Sequence, residues 1–308
     1  MKKLCSAQFL FCLLTILFLI LVLLFPSQTR LGASNGLLLW FNTLLPTLLP
    51  FFILSDLVRR LGIFDTVCRR LIARTGKNLY FLYPLTLGLL CGLPLGAKLT
   101  AESVRSGQLS RKHGQFLLTA CNNSSTMFLI GYVCDTQLNR PELSLQFLLF
   151  IPPASFLAAF IVSLPELIHP AQLTASAAKN PIHATSAPGF FTHVSNSIMD
   201  SFTVITQIGG FVILFSILSE FVLLLDSPFM LPLVAFSEMT TGIRAVCASD
   251  LTQTSKVLLS AASVSFTGLS GIAQTACVIQ DSGLSLPAYI VSRILSAIIT
   301  LGMFCLVL

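Results

Sequence analysis

Charge is what this sequence has least of. Asp, Glu, Lys and Arg make up 10% of its 308 residues, against roughly 25% in soluble domains, and that scarcity excludes a water-soluble enzyme. Metal-binding patterns are also missing. The nine cysteines (Cys5, Cys12, Cys68, Cys91, Cys121, Cys134, Cys247, Cys277, Cys305) are scattered, odd in number and never in a C-x-x-C pair, which argues against a zinc site or a disulfide framework. His113, His169, His183 and His193 fall in polar connections without ligand spacing to one another. Neither a metal nor any other cofactor is expected. No Ser/His/Asp set, paired carboxylates or H-E-x-x-H run lies in an apolar segment, so an enzyme is not expected either. The net charge of +6 carries by itself no expectation of nucleic acid; what matters is where the charges sit.

What remains is apolar. Hydrophobic residues make up 55% of the chain, with 25 Phe against one Trp, and the mean hydropathy is +0.87. Apolar segments fall near residues 7–25, 36–54, 79–97, 116–133, 143–164, 201–225, 229–245, 257–279 and 286–308. These lengths predict an all-α polytopic membrane protein, with the lipid bilayer as its first partner. Lys2 and Lys3 before Phe9 to Phe25 have the form of a secretory signal. The run is long for one, and a retained transmembrane helix is the better reading. Twelve of the eighteen cations lie at Lys2 and Lys3 or between residues 55 and 115, while Pro26 to Asn35, read as an external loop, holds only Arg30. An internal amino terminus follows from that bias.

The apolar segments are of two kinds. Residues 7–25, 143–164, 201–225 and 286–308 read as whole spans, with a kink expected at Pro152-Pro153. Four others are interrupted: 79–97 at Cys91-Gly92-Leu93-Pro94-Leu95-Gly96, 116–133 at Asn122-Asn123-Ser124-Ser125, 229–245 at Glu238-Met239-Thr240-Thr241-Gly242, and 257–279 at Thr267-Gly268-Leu269-Ser270-Gly271. Unwound backbone at bilayer depth needs protein or a watery cavity to satisfy its polar groups, so the breaks predict a cavity. Basic connections on both sides of 79–97 predict a re-entrant hairpin there, with 229–245 as its counterpart from the other face. Gln207 with Gly209-Gly210, inside a whole span, marks a close helix contact or a hinge. Residues 56–78, with Leu57, Leu61, Phe64, Cys68 and Leu71 opposite Arg59, Arg60, Arg69, Arg70 and Arg74, predict an amphipathic interfacial helix. The polar stretch from Pro165 to Asn196 reads as a linker between halves.

The same order of segments occurs on both sides of that linker. Gly96 and Gly242, Lys98 and Arg244, and Asp135 and Asp281 each stand 146 residues apart. Two inverted repeats with re-entrant and broken helices are the architecture this suggests, and paired broken segments point to a transporter's central site. Half-helix N-termini favour anions, and Lys98 and Arg244 add charge of the same sign, unless they snorkel to the interfaces. A small anionic substrate is the expected partner. Gly96, Lys98, Thr241, Gly242, Arg244 and Gly268 are its candidate contacts, and Asn122, Asn123, Ser124, Ser125, Thr267 and Ser270 line the path, unless the run Asn122 to Thr126 serves as interhelical hydrogen-bonding groups. Glu238 is an ionisable group inside an apolar run, placed either to take up a coupling proton or to pair with Arg244 or Lys98.

The runs Gly92-Leu93-Pro94-Leu95-Gly96-Ala97-Lys98-Leu99-Thr100, Cys121-Asn122-Asn123-Ser124-Ser125, Gly209-Gly210-Phe211-Val212-Ile213-Leu214-Phe215-Ser216, Glu238-Met239-Thr240-Thr241-Gly242 and Phe266-Thr267-Gly268-Leu269-Ser270 together resemble the YlbJ/SpoVV-type sporulation integral membrane proteins over roughly residues 36–305. The resemblance implies a gate, or nucleoside-recognition, domain of the kind found in nucleoside transporters. It implies an N-terminal helix over 1–35, gate-like repeats over 36–164 and 200–308, and a linker over 165–199. It further implies a protein of the outer forespore membrane of an endospore-forming bacterium that moves dipicolinic acid, alone, as a homo-oligomer or with other sporulation membrane proteins. Cys121 stands where the family has threonine, and Leu93 replaces an aromatic; both departures bear on substrate identity. The rival expectations are a nucleoside or other neutral-solute carrier and a non-transporting factor of spore-envelope assembly.

Overall fold

In the computed structural model, residues 2–63, 66–67, 70, 73–74, 79–168, 189–225, 227 and 229–308 are described. Among them the chain is helical with no strand. Five helices are long and apolar enough to cross a membrane by length and composition: Pro26–Arg60, Pro141–Ser163, Phe190–Leu223, Gln253–Val278 and Leu286–Cys305. Their side chains leave Leu and Phe exposed along much of their length, as helices bathed in acyl chains do. The chain is a multi-pass membrane protein.

The first helix, α1 (Lys2–Leu24), ends where Phe25 leaves helical backbone at φ −121°, ψ 62°. Pro26 to Asn35, expected as a loop, is instead the start of α2 (Pro26–Leu39). Proline at the first helical turn loses no hydrogen bond and presets φ. The deciding contact is tertiary. Gly32 and Gly36 lie four residues apart on the face that meets α8 (Phe190–Leu223), and a Cβ on either would come within 2.7–2.8 Å of the Ile217 or Ile213 Cα. Small residues at this spacing let two helix backbones touch, the usual means of association in lipid. Asn35 Nδ2 donates to Glu220 Oε1 at 3.0 Å across the same seam. Gly36→Leu is expected to cost about 2 kcal/mol or more through overpacking and to lower the Tm of the detergent-solubilised protein. Gly302→Leu, where a Cβ meets nothing within 4 Å, should leave it unchanged.

A π-helical turn (Trp40–Leu44) joins α2 to α3 (Leu45–Arg60). Trp40 Nε1 donates to Ile205 O at 2.8 Å, and its ring lies against Gly209. Gly209 is therefore a helix contact; Gly210 faces open space. Arg59 and Arg60 end α3, so the interfacial helix expected from residue 56 starts as the last turn of a spanning helix, and most of 64–78 lies outside the described residues.

The remaining elements are α4 (Leu82–Cys91), α5 (Leu95–Arg105), α6 (Arg111–Cys121), a π-helical segment (Phe128–Gln137), a short 3₁₀ turn (Pro141–Leu143) and α7 (Ser144–Ile168). After residues 169–188, which lie outside the described set with most of the expected linker, come α8, α9 (Met230–Ser237), α10 (Met239–Ala248), α11 (Gln253–Phe266), α12 (Gly268–Val278) and α13 (Leu286–Cys305). The linker is shorter than expected, since 165–168 and 190–199 are helical. The helix of α7 also continues through Pro152-Pro153.

Both halves run in the same order: a long helix, a pair of short helices packed on each other, a broken helix, and a whole span. The contacts between the halves are matched as well. The α2–α3 helix packs on α8, α7 on α13, α5 on α12, and α10 on the π-helical segment. The main apolar core draws on both halves, with Phe147 and Phe304 in edge contact at 5.0 Å.

Candidate functional site

Four helix interruptions occur where the sequence expects them. Gly92 ends α4 at φ 76°, a backbone region open to glycine. Residues 122–125 leave helical conformation after α6, and the chain resumes as helix at Thr126 ahead of the π-helical segment. Glu238 is extended at φ −142°, ψ 115° between α9 and α10. Thr267 takes the left-handed conformation at φ 71° between α11 and α12.

These interruptions form a ring. Leu93 N donates to Asn123 O at 2.7 Å, joining the first to the second. Ser124 Oγ lies 3.4 Å from Met239 Sδ, joining the second to the third. A Cβ on Gly268 would stand 3.1 Å from Met239 N, joining the third to the fourth, and one on Gly271 would stand 3.2 Å from Leu93 Cδ1, which closes the circuit. Beside it is a cavity of about 40 Å³ lined by Leu93, Ser124, Ser125, Phe128, Glu238, Met239 and Thr240 from three of the interruptions and their flanks, by Gln274 of α12, and by Leu44, Leu48, Ile208 and Val212 of the long helices. A volume of ~10–15 Å³ holds one water and small-molecule pockets take ~300–1,000 Å³, so this space has room for solvent and not for an organic substrate.

The polar groups of the ring are mostly committed to one another. Glu238, 2% exposed, caps α10: its Oε2 accepts from Thr241 N at 2.6 Å and from Thr241 Oγ1, and its Oε1 accepts from Thr240 Oγ1 at 2.9 Å. A carboxylate at a helix start satisfies a donor that has no intrahelical partner and meets the positive end of the dipole. Ser125 Oγ accepts from Phe128 N at 3.2 Å. Asn122 Oδ1 accepts from Ala97 N at 3.1 Å, in the first turn of α5, while its Nδ2 donates to Thr275 Oγ1 and Tyr289 OH, both at 2.9 Å. Gln274 is the exception. Its Nε2 donates to Ser270 Oγ at 3.2 Å, but its Oε1 is buried on the cavity wall without a partner.

Of the residues singled out from the sequence, Ser124, Ser125 and Glu238 face the cavity. Asn122 and Asn123 are buried behind it and brace the break. Thr267, Gly268 and Ser270 build the fourth interruption, and Thr241 caps with Glu238 and meets Ser216 Oγ at 3.3 Å. Gly96 and Gly242 mark places where backbones touch: a Cβ on Gly96 would stand 2.7 Å from Cys121 O, and one on Gly242 would stand 2.9 Å from Ala235 N and Val234 O. Lys98 and Arg244, expected to share an anion, are not brought to the ring. Arg244 is exposed. Lys98 is half-buried in a separate cleft with Asp56, Arg59, Glu102 and Asp200; there Asp56 pairs with Arg59 and Arg60, and Arg60 with Asp200. That cleft shares Arg59, Leu99 and Glu102 with an adjoining one of about 310 Å³. Neither cation pairs with Glu238. Matched sequence position fixed their place along the helices, and the rotation of each helix in the bundle decided what they face.

The residue that sequence reasoning missed is Arg293, on α13, with 0% exposure. Its Nη1 donates to Asn123 Oδ1 at 2.7 Å and its Nη2 to Thr119 O; its Nε has no partner, and its guanidinium lies 5.3 Å from the centre of the Tyr289 ring. Among the described residues no carboxylate stands within ion-pair distance of it. The signal was present: a charged residue inside an apolar span. Residues 286–308 read as a whole span because apolarity and length dominate that stretch.

Comparison with known proteins agrees with the membrane architecture. The chain is 24% identical over 315 residues to the sporulation integral membrane protein YlbJ of Bacillus subtilis (strain 168), an alignment covering 89% of this chain and 76% of the relative. That likeness supports a YlbJ-type sporulation membrane protein. No protein-family model and no solved structure matches the chain.

Proposed function

We propose that the chain is a transporter of a small organic anion, with dipicolinate the first substrate to test, acting in the outer forespore membrane during sporulation. The observation that carries this reading is the ring of four helix interruptions, three of which line one small cavity. Broken helices inside a bilayer are tolerated only where protein or a watery cavity satisfies their backbone, and four of them meeting at one place beside a cavity are hard to account for as packing alone. The matched order of the two halves supports a two-repeat carrier with inverted topology, in which one hairpin rocks against the rest. The closed ring is then an occluded state, and the α4–α5 or α9–α10 hairpin moves to admit substrate. The charged cleft beside Lys98, one helical turn along α5 from the first interruption, suits an entrance on the side carrying Arg59, Arg60 and Arg105.

A second reading has its own support. Glu238 and the unpartnered Gln274 Oε1 are acceptors on the cavity wall, which suits hydroxyl or N–H donors of a nucleoside or other neutral solute. Purified protein in liposomes, given labelled dipicolinate with and without a proton gradient, separates these. Uptake that excess unlabelled dipicolinate suppresses and nucleosides do not is the expected result. Suppression by nucleosides would move the assignment to the neutral solute. No flux of either solute would leave a non-transporting role in the spore envelope.

A further inference from the structure

The geometry points to Arg293 as the positioning residue of this site, the group that holds the second interruption and, through it, the tip of the first hairpin. The argument starts from cost. A cation in the low-dielectric interior is expensive unless charge or hydrogen bonds compensate it, and Arg293 has no carboxylate beside it among the described residues. What compensates it is the end of a helix. The α6 helix stops at Cys121, so its last carbonyls lack intrahelical donors and carry partial negative charge. Arg293 Nη2 takes the Thr119 carbonyl and Asn123 Nδ2 takes that of Ala120 at 2.9 Å. Arg293 Nη1 and Ser155 Oγ both donate to Asn123 Oδ1 at 2.7 Å, and together they fix that amide's orientation. The main-chain oxygen of Asn123 receives Leu93 N at 2.7 Å. A linked path of hydrogen bonds therefore runs from a whole span, through one interruption, to the hairpin tip that closes the cavity. Lysine cannot replace the planar fork that serves two acceptors at once.

Cys121 reports on this clamp. It is fully buried where α6 meets α4 and α5, against Gly88 and Gly96. The test uses the full-length protein in liposomes with Arg293→Met, which fills similar volume without donors, and Arg293→Lys, which keeps the charge. Two quantities are read per folded molecule: the rate at which N-ethylmaleimide labels Cys121, followed by peptide mass spectrometry, and the KM and Vmax for labelled dipicolinate. Arg293→Met is expected to speed labelling and raise KM, each about tenfold, with a smaller change in Vmax; Arg293→Lys should fall between it and the native protein. Native labelling rate and native KM in the Met variant would overturn the assignment. So would a loss of folded protein in both variants with KM and labelling unchanged in what remains. The kinetic arm rests on the transport reading. The labelling arm does not, so a protein that moves no dipicolinate still reports whether Arg293 holds the interruption.

Discussion

Glu238→Ala should lower the stability of the detergent-solubilised protein by about 3 kcal/mol or more, while Glu238→Gln should cost far less. The alanine variant leaves three donors, Thr241 N, Thr241 Oγ1 and Thr240 Oγ1, without their acceptor in a site that water reaches poorly. A lost cap costs ~0.5–2 kcal/mol and each stranded buried donor ~1–3 kcal/mol. Glutamine keeps one carbonyl oxygen for Thr241 N, and its NH₂ can donate to a threonine hydroxyl, which accepts as readily as it donates. Thermal unfolding of both variants in one detergent measures the difference. Equal losses would show that Glu238 holds α10 by its charge and not by hydrogen-bond geometry. If Gln folds and Ala does not, Glu238→Gln becomes the clean variant for asking whether uptake needs the carboxylate.

The second large effect is expected from the hairpin glycines. A Cβ on Gly92 would press on backbone across the ring, 2.8 Å from Asn123 O and from Ser125 Cα, at φ 76° where side chains are strained in any case. A Cβ on Gly242 would strike the backbone of α9 at Ala235. Backbone cannot swing aside as a flexible side chain does, so the hairpin arms or the ring must separate. Overpacking costs ~1–3 kcal/mol and a strained backbone ~1–3 kcal/mol, which makes Gly92→Ala the more severe change. Gly210→Ala is the control, with nothing within 4 Å of its added Cβ, and a glycine-to-alanine change inside a helix gains up to about 1 kcal/mol. The Tm values should rank Gly210→Ala at or above the native protein, then Gly242→Ala, then Gly92→Ala. A native Tm for Gly92→Ala would mean that the first interruption does not abut the second.

Some of this was legible in the chain and some was not, and the division has a physical basis. The interruptions at Gly92, Asn122, Glu238 and Thr267 could be read because glycine, proline and clustered polar residues stop helices locally, whatever surrounds them. Pro26 to Asn35 misled because a polar stretch with Gly32 and Gly36 has the composition of a loop; only α8, lying against those glycines, makes it a helix. Asn122 and Asn123 stand out in the sequence as polar residues inside an apolar run, yet their side chains are spent on Ala97, Tyr289, Ala120 and Arg293, which no spacing rule discloses.

The amino-acid sequence by itself determined that this is a helical protein of the bilayer, where its helices break, and that its two halves run in the same order, because hydropathy and helix-stopping residues act over a few neighbouring positions. The tertiary structure alone decided that the four breaks close into one ring, that Lys98 and Arg244 stay outside it, and that Arg293 braces it from behind. Those outcomes depend on how each helix is turned about its axis and which helix it meets, and contacts between residues such as Asn123 and Arg293, 170 positions apart, leave no mark in local pattern.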